Sequence, residues 1–96
     1  MKPQLEKQIE RNVRDYAHEC EMLSYKFTSP ARAAVPDDLF ITKKGTTFFI
    51  EFKREGAKPT PQQAREHDRL RGHKVSVFVV DSTKAGRLVV DMMRDQ

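Results

Sequence analysis

The sequence predicts an α/β domain in which helices flank a central mixed β-sheet, with elements in the order α-β-β-β-α-β-α. Three observations carry that prediction. Residues 39–53, LFITKKGTTFFIEFK, read as two strands joined by a turn that contains Gly45. A helical stretch, PQQAREHDRLR, separates this hairpin from the apolar run KVSVFVVD, and a helical crossover makes the last strand pairing parallel. Amphipathic segments at both ends supply helices to cover the sheet.

Taken in order, Leu5, Ile9, Val13, Tyr16 and Cys20 recur at helical spacing and predict a first helix over 4–21, with Pro3 near its start. LSYKFTSP predicts a short strand ended by Ser29-Pro30. The segment ARAAVPDD is irregular, and Pro36 keeps the next strand from starting before Asp37. After the hairpin, REGAKP is a polar loop. Thr60 then suits an N-cap and Pro61 the first helical position of a helix that Gly72 stops. KVSVFVVD predicts a strand, and STKAGRLVVDMMRD a closing helix with Leu88, Val89, Met92 and Met93 inward. No repeat or linker divides the chain, so residues 1–96 predict one domain.

Hydrophobic residues make up 38 % and charged residues 33 % of the 96, which predicts a soluble domain with a small core. No apolar run approaches the ~20 residues a membrane span needs. MKPQLEKQIE lacks a signal-peptide core, which together with the single cysteine, Cys20, predicts a cytoplasmic protein without internal disulfides. A net charge of +4 favours a polyanionic partner such as nucleic acid.

The polar residues that carry chemistry crowd the hairpin. Glu51 and Lys53, two apart in FFIEFK, share one face of a strand, about 6.5–7 Å apart along it. The hairpin folds Asp37 back toward Glu51. Two converging carboxylates repel and raise each other's pKa unless a cation lies between them. A hard divalent ion such as Mg²⁺ resolves the conflict, and the backbone carbonyl of Phe52 is a further candidate ligand. Lys53 would orient water or neutralise charge at phosphorus. The bland alternative is a half-buried strand with a charged face, and a turn aspartate after Pro36.

Val35-Pro36-Asp37, Glu51-Phe52-Lys53 and Gln63 resemble the PD…(D/E)XK pattern of restriction-endonuclease-like nucleases. With Ile9-Glu10 on the first helix, YKFTSPARAAVPD, the stretch KPTPQQAREHDRLRGHKVSVFVVDS and the closing helix, nearly the whole chain resembles the VRR-NUC (virus-type replication-repair nuclease) family. The resemblance implies a restriction-endonuclease-like fold, with Asp37 and Glu51 holding Mg²⁺ or Mn²⁺ and Lys53 assisting catalysis. It implies that Glu10 reaches the metal directly or through water, and that Gln63 positions the lysine or the substrate. The family implication extends to structure-selective DNA cleavage. Stand-alone viral members resemble Holliday-junction resolvases that pair two subunits, which would act in the host-cell cytoplasm. Others are flap- or repair-type nuclease modules, and a catalytically idle DNA-binding accessory protein is a further alternative. Many relatives carry glycine where this chain has Ala34.

Plainer roles stand beside these. Glu6, Glu10 and Arg14 follow i,i+4 spacing and suit a solvated helix face, with Glu6 the alternative fourth acid. Thr60 and Gln63 match a capping box. Lys26, Ser29 and Arg32, upstream of Asp37 with no acid between them, are the candidate DNA contacts. His67 and His73 fit no common metal-ligand spacing and are expected in polar surroundings.

Overall fold

The computed structural model describes residues 4–96, which run α1 (Glu6–Glu19), β1 (Leu23–Lys26), β2 (Asp38–Ile41), β3 (Thr47–Phe52), α2 (Pro61–Gly72), β4 (Val77–Val80) and α3 (Thr83–Arg94). The predicted order holds element by element. Pro3 lies outside the described residues. The strands form one sheet in the order β1-β2-β3-β4, antiparallel except for β3 and β4, which run parallel. That parallel pair follows from α2, which carries the chain across the sheet before β4 begins.

Alternation along the strands sorts side chains onto two faces. Phe40, Phe48, Ile50, Phe52 and Val80 form one face, and Ile9, Val13 and Ala17 of α1 with Val90 and Met93 of α3 close the core over it. Phe40 and Phe48 stack with ring centroids 5.1 Å apart, and Phe78 meets Phe48 edge-on. The other face carries Leu39, Phe49 and Glu51 and receives α2.

α1 ends with Glu21 at φ 64°, while the Met22 and Glu21 amides bond to the carbonyls of Ala17 and His18. α2 ends the same way, with Lys74 at φ 67° and the Val75 and Lys74 amides on Leu70 and Arg71. Both are Schellman closures. Gly72 is therefore the last helical residue and not the reversal point; Lys74 makes the turn.

Two expectations about helix faces need correction. Leu5 is the N-cap of α1 and is 67 % exposed, so Ala17 takes the inward position instead. On α3, Met93 is inward and Val89 packs against the core, but Leu88 and Met92 are 60 % and 47 % exposed. The buried stripe is Gly86, Val90 and Met93. Gly86 decides this: a Cβ there would stand 2.2 Å from a Val13 methyl carbon, so α3 rolls its glycine onto α1. The first strand also stops early, at Lys26. The Phe27 amide still bonds to the Asp37 carbonyl at 2.8 Å, after which the chain leaves the sheet.

Candidate active site

The antiparallel register of β2 and β3 pairs Asp38 with Ile50. One residue further on, Asp37 therefore faces Glu51 on the side of the sheet that α2 covers. Asp37 lies just past the strand end, where its Oδ2 accepts the Phe52 amide hydrogen at 2.8 Å. This bond clamps the aspartate against the β3 backbone. Glu51 is 2 % exposed and Phe52 is fully buried, so the apolar residues around them hold the carboxylate in a fixed direction.

Glu51 gathers the other polar side chains. Its Oε2 lies 3.6 Å from Lys53 Nζ and accepts a hydrogen bond from Gln63 Nε2 at 3.3 Å. Gln63 also completes the capping box, its Oε1 accepting the Thr60 amide and its own amide donating to Thr60 Oγ1. One residue thus starts α2 and touches the carboxylate. Glu51 Oε1 faces His67 Nε2 at 3.7 Å, beyond hydrogen-bond distance, and both atoms are buried without a partner among the described residues.

The electrostatics follow from this burial. Desolvation, then the charge of Asp37, push the Glu51 carboxyl up to about 7 against the pull of Lys53. Burial also raises Asp37, opposed by the Phe52 hydrogen bond. A pair of carboxylates held up in this way, with one oxygen left unpartnered, suits a positive group between them. Among the described residues no three His, Cys, Asp or Glu side chains form a ready-made metal cage. Mg²⁺ does not need one, because it binds through one or two carboxylates and keeps several waters.

A second acidic pair lies on the opposite face of β2. Asp38 is fully buried beneath α1, and neither of its oxygens has a partner among the described residues other than Glu10. Burial and the facing Glu10 push the Asp38 carboxyl up to about 8. Burial works against ionisation of Glu10 too, but the Asp38 hydrogen bond and the Lys26 ammonium, 2.7 Å away, outweigh it and hold Glu10 low. Glu10 therefore meets Asp38 and Lys26, not Glu51 or Lys53. Its charge reaches Asp37 through space, while that of Glu6 reaches Glu51. Of the candidate DNA contacts, Lys26 is held by Glu10 and Arg32 by Glu66, and Ser29 is half-buried in the loop between β1 and β2.

No protein-family model matches the sequence. The protein "Putative nuclease p44" of Acyrthosiphon pisum secondary endosymbiont phage 1 is 42 % identical over 77 residues, which cover 80 % of this chain and 83 % of p44. A solved structure, "VRR_NUC domain", superposes with a TM-score of 0.83 at 32 % identity, covering 90 % of this chain and 94 % of its own. The chain belongs to the VRR-NUC nuclease family. Its four-stranded mixed sheet flanked by helices is the restriction-endonuclease-like fold that the resemblance implied.

Two site neighbours of this VRR-NUC chain escape sequence reasoning. His67, expected in polar surroundings, is 1 % exposed against Glu51, and burial followed by the charge of Arg71 pushes its pKa down. A signal existed: His67 lies four residues after Gln63, on the same helical face. Asp38 is the other. Strand alternation puts it on the face of Phe40, opposite to Asp37, which the PDD run alone signals.

Proposed function

We propose that the protein is a Mg²⁺- or Mn²⁺-dependent DNA endonuclease that hydrolyses phosphodiester bonds at Asp37, Glu51 and Lys53. The observation that carries the proposal is the juxtaposition of Asp37 and Glu51 across β2 and β3, with a buried, unpartnered Glu51 oxygen and Lys53 3.6 Å from its twin. Asp37, Glu51 and the Phe52 carbonyl would hold the cation. When bound, it supplies Lewis-acid stabilisation of the phosphoryl oxygens and a more acidic water.

The chain's own residues do the rest. The Phe52 amide fixes Asp37, and Gln63 orients Glu51 while anchoring the start of α2. Lys53 offsets negative charge that builds on phosphorus in the transition state and orients the attacking water. Glu10, or Glu6 one turn earlier, completes the acidic field through space or through water. Lys26, Ser29 and Arg32 contact the DNA backbone.

The substrate we propose is branched DNA, a four-way junction above all. A domain with no recognition helix in evidence reads shape more readily than sequence. Symmetric cutting of a junction calls for two sites related by a twofold axis, hence a homodimer. Leu88 and Met92, exposed on α3, support such an interface. Among the described residues no helix is long and apolar enough to cross a membrane, in keeping with action in the cytoplasm of a host cell.

The test is cleavage of labelled junction, flap and linear DNA with and without Mg²⁺. Paired symmetric nicks at a junction are expected, single nicks at a branch would mean a flap or repair nuclease, and binding without cleavage would mean an accessory protein. Asp37→Ala and Glu51→Ala should abolish cleavage with binding largely kept, and Lys53→Met should lose catalysis with metal affinity nearly unchanged. Full activity in either alanine variant would sink the assignment.

A further inference from the structure

α2 presents two adjacent stripes. Gln63 and His67, four residues apart, point at Glu51. Gln62, Arg65, Glu66 and Arg69 form the neighbouring stripe and, with residues 31–33, line an open groove of about 500 Å³. Glu66 is buried at 6 % exposure in this groove, an unusual place for a glutamate unless it holds something. Its Oε1 accepts both Nε and Nη2 of Arg32, at 3.1 and 2.9 Å, and Arg69 Nε approaches the same oxygen at 3.4 Å. The Arg32 hydrogen bonds hold the Glu66 carboxyl below its usual range, so it is ionised. Three guanidinium groups against one carboxylate leave two positive charges in surplus (three minus one). Arg32 Nη1 has no partner among the described residues, and Arg32 and Arg69 are each half exposed.

We propose that this groove is a phosphate-binding element beside the active site, in which Arg32, Arg65 and Arg69 grip the backbone of the substrate strand and Glu66 positions them. The inference rests on the nuclease reading above. A polar, open, cationic groove suits a phosphodiester chain that passes through it, and the planar fork of arginine matches two phosphate oxygens at once. Because α2 carries both stripes, a backbone held at Arg65 and Arg69 is fixed relative to Glu51 by a rigid helix. Glu66 is thus a positioning residue, and its own charge opposes the ligand.

The experiment measures binding of labelled duplex and junction DNA across a salt series without divalent cation, so cleavage plays no part. Arg65→Ala and Arg69→Ala should each weaken binding and lower the magnitude of the slope of log K against log salt by about 0.9. Lys84→Ala, an equal loss of charge on α3, should leave the slope near the wild-type value. Arg32→Lys keeps the charge but loses the fork, and should also weaken binding. Glu66→Ala separates positioning from net charge, because removing an acid from a basic groove tightens binding if charge alone matters and weakens it if the carboxylate aligns the arginines. Circular dichroism confirms folding of each variant. Equal effects of Arg65→Ala, Arg69→Ala and Lys84→Ala would overturn the groove, and tighter binding by a folded Glu66→Ala would overturn the positioning role of Glu66, both while leaving the nuclease assignment standing. A wild-type protein that binds no DNA would overturn both.

Discussion

At Glu51 the proposed chemistry and the stability of the fold meet. Folded, it keeps its proton up to about pH 7, whereas an unfolded glutamate releases it near 4.5. Between those values the native state binds more protons than the unfolded one, so this group's contribution to stability is lost as pH rises toward 7. Glu51→Gln removes the penalty and should stabilise the cation-free protein at pH 8 by about 1–3 kcal/mol, several degrees in Tm, with little change at pH 4. Thermal melts at both pH values check this, and Mn²⁺ should raise the Tm of the wild type at pH 8 but not that of the variant. Ala34 tells a related story: its φ of 66° lies in the left-handed region, three residues before Asp37 in the loop that delivers it. Ala34→Gly should relieve about 1 kcal/mol of strain, seen as a higher urea midpoint. A lower midpoint would mean that the alanine methyl packs usefully. The face shared by Glu51 and Lys53 could be read from sequence because a strand has a period of two and leaves no choice of side. His67 is signalled only by its spacing of four from Gln63; its burial depends on what the sheet offers opposite it, which a run reading Glu-His-Asp does not show.

Elements were more readable than their orientations. Caps, prolines and apolar period placed every helix and strand, since those signals act within a few residues. The roll of α3 was not so constrained. Leu88-Val89 and Met92-Met93 define two stripes one residue apart, and helical periodicity alone cannot choose between them. The choice is made by a contact 73 residues away in sequence, Gly86 on Val13. Gly86→Ala should therefore cost about 1–3 kcal/mol by overpacking, measured by denaturant unfolding, and Val13→Ala in the same chain should recover part of the loss. Strict additivity of the two changes would argue that the helices do not meet at this point. The same logic explains Glu10. Its place on α1 was clear, but the sheet face beneath it belongs to Asp38, so it pairs there and with Lys26 and acts on Asp37 only at a distance.

Across the whole molecule the sheet separates two roles. One face, under α1 and α3, holds the aromatic core and the buried Asp38–Glu10 pair. The other, toward α2, holds Asp37, Glu51 and Lys53, with the arginine groove alongside. Burying carboxylates in so small a protein destabilises it unless a proton or a cation joins them: Asp38 is pushed up to about 8 by burial and Glu10, and the proposed function assigns a cation to Glu51. The claim is tested most directly by anomalous diffraction from crystals soaked in Mn²⁺ at pH 8. One strong peak within coordination distance of both Asp37 and Glu51 is expected, absent in Glu51→Gln crystals. A peak between Asp38 and Glu10 instead, or no ion near Glu51 at a concentration that supports cleavage, would contradict it.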